Sequence, residues 1–214
     1  MSFFLASLPD ELVDWRGTAA ELADKANSLL PRLNLQDDGG SVNERLVRYY
    51  RQRADESTGE AASDPMKAGM ATTCTVAAIK GETVILGHVG DCRAYMAVKG
   101  QMIQLTADHS MATDYQREGK PLPPEKEKLA NVLTRWLGHE GDAAVELSEL
   151  MQFAVGSTLV MCSDGLTKVV TQDEILHAVS MHLPEGACRR LVELARERGG
   201  PDNITVQVAR MNRA

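Results

Sequence analysis

The chain has 214 residues, 43% of them apolar and 25% charged, with a formal net charge of −7. That length suits one domain with a substantial core, or one domain with a small appendage. The acidic balance argues against a nucleic-acid-binding protein as a whole, and no apolar run approaches the length of a membrane span. The opening residues lack the basic start and the long apolar core of a signal peptide, so a cytoplasmic location is expected. Cys74, Cys92, Cys162 and Cys188 are widely spaced and form no C-x-x-C pair, which fits reduced thiols in that compartment.

The first third reads as helical. Thr18, with Glu21 three residues on, is placed to cap a helix over residues 19–30, which Pro31 ends. Asp37-Asp38-Gly39-Gly40 is a loop signal. Ser41 and Glu44 repeat the capping pattern for a second helix over 42–53, where Leu46, Val47 and Tyr50 form an apolar stripe. The small, polar and acidic stretch 57–68 reads as a linker, separating a helical segment (1–56) from a larger unit (69–214). From Gly69 the period changes. Residues 72–79, 83–89, 93–98 and 102–106 read as short strands, and Lys99-Gly100 suits a two-residue hairpin turn. Residues 108–137 are mixed, interrupted by Pro121, Pro123 and Pro124. A strand over 159–162 follows. Thr171 and Glu174 then form a capping box for a helix from 172 to about 183. A second helix runs from about 185 to 198 and stops at Gly199, before a last strand over 204–210. Strands followed by helices outside them indicate an α+β layered domain.

Three acidic segments carry the chemistry. Gly90-Asp91-Cys92-Arg93 follows a strand, Ser163-Asp164-Gly165-Leu166 follows another, and Gly199-Gly200-Pro201-Asp202-Asn203 precedes the last. Carboxylates at strand ends, beside glycines that let backbone and ligand approach, suit a hard-cation site. Mg²⁺ and Mn²⁺ take oxygen ligands, so aspartate is the fitting donor. Each aspartate alone is equally a turn former or a helix cap. Asp108-His109-Ser110 invites a triad reading, but no G-x-S-x-G elbow accompanies it and neighbours on one segment do not readily converge.

The ordered series V-G-D-C-R-A-Y, L-T-A-D-H-S, L-T-R-W-L-G, C-S-D-G-L-T and G-G-P-D-N-I-T resembles protein phosphatase 2C, the metal-dependent PPM class, over residues 69–210. The resemblance implies a layered α-β-β-α sandwich of two mostly antiparallel sheets flanked by helices, here without the usual first strands. It implies hydrolysis of phosphoserine or phosphothreonine in protein substrates by a water activated on Mn²⁺ or Mg²⁺, a cognate protein kinase as counterpart, and a signalling role. Carried over residue by residue, Asp164 and Asp202 match ligands of the metal pair. Asp91 matches a ligand of a weaker third metal, shared with Asp164, and Gly165 and Asn203 match supports of the site. The Asp108–Ser110 segment is largely structural in the family, and the Thr134-Arg135-Trp136-Leu137-Gly138 stretch fits a packing motif.

The family's R-x-x-N-E-D and D-G-M-G-G-H segments, which supply a phosphate-gripping arginine, a bridging aspartate and a histidine, have no clear match. Asp38 in Asp37–Gly40, and Asp55 in a stretch that resembles the A-D-G…G-E-A-A-S neighbourhood, are candidate remnant ligands. Activity impaired by that gap is therefore an expectation. Three readings of the first third remain open: a substitute helical layer, a fragment of other origin, or a helix-turn-helix remnant. The last arises because Glu44 to Arg53 resembles the L-R-Y-Y segment of MerR-type regulators, with Arg45, Arg48, Arg51 and Arg53 giving a basic face. The alternative to an enzyme is a non-catalytic pseudophosphatase module that binds a phosphoprotein, or nucleic acid through those helices.

Overall fold

A computed structural model of the chain describes residues 3–4, 72–136 and 145–213. The helices expected over 19–30 and 42–53, the linker, and both remnant candidates, Asp38 and Asp55, lie outside the described residues.

Two sheets form the frame. The first comprises β1 (Phe3–Phe4), β2 (Thr73–Lys80), β3 (Thr83–Val89), β6 (Glu146–Leu147) and β7 (Met151–Gln152). Its order is β1-β2-β3-β6, with β7 also on β3; β1 runs parallel to β2 and the other pairs are antiparallel. The second comprises β4 (Arg93–Val98), β5 (Gln101–Gln104), β8 (Thr158–Cys162) and β9 (Val206–Arg210), in the antiparallel order β5-β4-β8-β9. The helices are α1 (Met111–Arg117), α2 (Asp164–Thr167), α3 (Gln172–Met181) and α4 (Pro184–Glu197), with a 3₁₀ turn over Pro124–Leu129. Among them none is long and apolar enough to cross a membrane.

The period-two alternation of the second sheet explains the layering. Ala94 and Met96 of β4, Leu159 of β8 and Ala209 of β9 pack between the sheets with Ile79, Val84, Leu86 and Phe153. Their neighbours Tyr95, Ala97, Val160, Cys162 and Val208 point the other way, onto Ile175, Ala178 and Val179 of α3 and Ala187, Leu191 and Ala195 of α4. Both faces of β4, β8 and β9 are therefore covered.

Local chemistry accounts for the element bounds. Lys99 (φ 49°) and Gly100 (φ 77°) both take the left-handed conformation that a two-residue hairpin turn requires. The capping box at α3 is formed: Thr171 N–H donates to Glu174 Oε2 at 2.9 Å, and the Glu174 N–H reaches Thr171 Oγ1. The expected strand over 102–106 is shifted to Gln101–Gln104. Thr106 departs from the ladder because its hydroxyl takes the Ala94 N–H at 3.0 Å, where a strand would use its carbonyl.

Candidate metal centre

The antiparallel order brings the end of β8 between the start of β4 and the start of β9, with Cys162 opposite both Arg93 and Val206. Asp91 lies two residues before β4, Asp164 two after β8, and Asp202 four before β9. All three carboxylates are thus delivered to one end of the sandwich.

Asp164 is the first residue of α2 and is buried. Ser163 staples its segment to that of Asp202. Ser163 Oγ donates to the Asn203 carbonyl at 3.0 Å and accepts the Thr205 N–H at 3.0 Å, while Ser163 N–H donates to the Thr205 carbonyl. Gly165 is the close-approach residue: a Cβ there would meet the Asn203 carbonyl oxygen at 2.2 Å. Asp202 Oδ1 accepts the Asn203 N–H at 2.9 Å, which fixes the turn.

Asp91 follows Gly90, whose φ of +113° and whose contact with Thr73, 2.2 Å from a hypothetical Cβ, both require glycine. The turn is held from behind by the D-H-S segment. His109 N–H donates to the Gly90 carbonyl at 2.7 Å, and the Gly90 N–H donates to His109 Nδ1 at 3.0 Å. Since Nδ1 accepts, the proton of the neutral ring is on Nε2, which donates to Glu146 Oε2 at 3.0 Å. Arg117 grips the same glutamate, and Arg135 stands 3.9 Å from it, so Arg135 serves a buttress. Asp108 makes a two-pronged ion pair with Arg93, and Ser110 caps α1. The segment's three side chains therefore face structural partners, as the family resemblance implied. Beside His109, His88 is buried, its ring centroid 4.7 Å away. It donates from Nε2 to the Ala107 carbonyl, and its Nδ1 pairs with the Thr75 hydroxyl at 2.8 Å. Burial, and then the neighbouring His109, hold its pKa down at about 4.

The electrostatics of the acidic end are unbalanced. Burial, reinforced by the charge of Asp164, pushes the Asp91 carboxyl up to about 6. Asp91 Oδ1 and Asp164 Oδ1 are buried without a hydrogen-bond partner. Buried carboxylate oxygens without donors are what an oxygen-seeking divalent cation satisfies, so this donor set fits Mn²⁺ or Mg²⁺. One residue had no signal in the motif reading. Lys168 places its ammonium 2.6 Å from Asp164 Oδ2 and 2.8 Å from Asp202 Oδ2. Those two oxygens are therefore no farther apart than the two contacts end to end, so both carboxylates converge on one cationic group. The Lys168 hydrogen bond is the main reason the Asp202 carboxyl is held below its usual range. Among the described residues no three carboxylate, imidazole or thiolate groups are grouped closely enough to hold an ion by themselves.

The family model described as "Protein phosphatase 2C" matches residues 14–117, beginning well before Gly69 and so extending into the first third. The chain is 31% identical over 186 residues to the serine/threonine protein phosphatase PstP of Mycobacterium tuberculosis, an alignment covering 84% of this chain and 35% of PstP. The chain thus spans about a third of that relative's length. It is 30% identical over 177 residues to the protein phosphatase PhpP of Streptococcus pneumoniae, covering 80% of this chain and 72% of PhpP. The solved structure of PstP superposes with a TM-score of 0.75 at 30% identity, over 91% of this chain and 83% of that one. The PstP catalytic domain in complex with two manganese ions gives a TM-score of 0.67 at 31% identity, over 89% and 80% of the two chains. The two-sheet frame, the acidic segments at one of its ends, and a relative, PhpP, that is 30% identical and aligned over 72% of its length agree: the chain belongs to the protein phosphatase 2C family.

Proposed function

We propose that the chain is a metal-dependent protein serine/threonine phosphatase, with Asp164, Asp202 and Asp91 holding Mn²⁺ or Mg²⁺. The observation that carries this reading is the pair of buried carboxylate oxygens, on Asp91 and Asp164, left without a partner at the end of the sandwich to which Asp202 is also delivered. When bound, divalent cations supply an acidified water and neutralise charge on the phosphoryl oxygens. The chain's own residues do the rest. Asp164 and Asp91 each present one buried oxygen that has no hydrogen bond to give up when a cation arrives. Gly165 and Ser163 fix the spacing of Asp164 from Asp202, and His109 holds the turn that carries Asp91. The names of the relatives, and the manganese in the PstP structure, support this chemistry over a purely binding role.

Phosphorylated serine and threonine residues of proteins are the corresponding substrates, and a protein kinase that writes them is the counterpart in a signalling pair. Cys92 and Cys162 are buried thiols outside any disulfide among the described residues, which supports a reducing, cytoplasmic setting. The test is hydrolysis of a phosphothreonine peptide by the full chain. Turnover is expected with Mn²⁺ and not with chelator, and Asp164→Asn should abolish it. Sustained turnover in chelator would overturn the metal reading.

A further inference from the structure

Lys168 has an assignable role in this site. It follows Asp164 by four residues, so α2 sets the two side chains one above the other on the same face. The last strand then brings Asp202 to the same ammonium from 34 residues farther along the chain. An ammonium has three donors, and two of them are spent on the Oδ2 atoms of two different aspartates. The Oδ1 atoms of Asp91 and Asp164 are left without a partner, because one point charge cannot reach them as well. The lysine stem remains 44% exposed, so the head group can leave for water without disturbing the core.

We propose that Lys168 is a built-in counter-cation of this phosphatase: it holds Asp164 and Asp202 together when no metal is bound, and it competes with the divalent cation for the same two carboxylates. Two consequences follow. Without the ammonium, two neighbouring carboxylates would repel across the β8–β9 end, so the lysine keeps the metal-free site assembled. With it, a divalent cation gains both aspartates only after the ammonium has withdrawn. The apparent affinity is thereby reduced by the fraction of time the lysine is out. This inference rests on the metal reading above.

The experiment is direct Mn²⁺ binding, by titration calorimetry and by loss of the free-ion electron paramagnetic resonance signal, on the full chain and on Lys168→Met and Lys168→Arg. Thermal unfolding in chelator is measured alongside. Lys168→Met is expected to bind Mn²⁺ roughly tenfold more tightly, the scale on which one displaced ion-pair network acts. It should also unfold at a lower temperature in chelator than the parent chain. Lys168→Arg keeps the charge and should keep the weaker affinity, separating charge from packing. Equal affinities in parent and Lys168→Met, or weaker binding in the latter, would overturn the competition and leave the metal site standing. No binding by any of the three would overturn the metal reading, and the competition with it.

Discussion

Gly165→Ala puts the architecture of the acidic end to a test in which local and tertiary physics predict opposite signs. Gly165 is the second residue of α2, and by helix propensity alone alanine would stabilise it by up to about 1 kcal/mol. The structure predicts the reverse. A Cβ at this position falls 2.2 Å from the Asn203 carbonyl oxygen, 2.9 Å from its carbon and 3.2 Å from the Asp202 carbonyl carbon. Ordinary contact begins near 3.4 Å, so the two segments must separate by about 1.2 Å. Both partners are backbone, and no side chain can rotate away. The separation strains the Ser163 hydroxyl bridge to Asn203 and Thr205, whose two bonds are each 3.0 Å. Overpacking of this kind costs about 1–3 kcal/mol, and displacement of about 1 Å at a reaction centre lowers turnover on the order of 100-fold. Urea unfolding in chelator reads the first effect; Mn²⁺ binding and phosphopeptide turnover read the second. A Gly165→Ala chain as stable as its parent, with unchanged manganese affinity, would refute the close packing of these two segments.

Further expectations concern charge and capping. His88 is held neutral in the fold at a pKa of about 4 against an ordinary 6.5, so the unfolded chain takes up the proton first on acidification. Stability from this group is complete above pH 6.5 and is lost as pH falls toward 4, by about 3 kcal/mol over the window. The pH slope of urea stability should flatten there in His88→Gln, with His109, Glu146 and Asp108 facing the site unchanged. Asp91 shows the opposite sign. Its raised pKa makes ionisation a cost to the metal-free fold, growing as pH rises through about 6. Asp91→Asn should therefore gain on the order of 1 kcal/mol at pH 8 in chelator, discounted for partial exposure, while losing manganese affinity. Thr171→Ala removes the α3 cap and should cost about 1 kcal/mol in thermal or urea unfolding, with no change in metal binding.

Elements that stand on long periodic runs were legible in the sequence. The strands over 83–89 and 93–98 match the observed bounds, and α3 begins where its capping box placed it. Elements that exist only through partners were not. β6 and β7 are two residues each and are strands only because β3 offers them hydrogen bonds. α2 is a single turn inside a Ser-Asp-Gly sequence that reads equally as a bend. The last strand begins at Val206 rather than at 204, because the Thr205 backbone is engaged by Ser163. Asp91, Asp164 and Asp202 stood out by their glycines and strand flanks. Lys168 did not, since a lysine four residues from an aspartate looks like an ordinary surface pair until the fold adds Asp202.

Both faces of β4, β8 and β9 are covered, and these are the strands whose ends carry the acidic residues. Amides in a covered central strand such as β8 are expected to exchange with solvent only in large-scale opening. The site is therefore tied to the slowest-opening unit of the described fold. The expected consequence is that the acidic end opens together with the strands that carry it. In a hydrogen-exchange experiment the amides of Val160 and Met161, in the central strand β8, should persist longest. Denaturant that leaves them protected should leave the three aspartates in place as well.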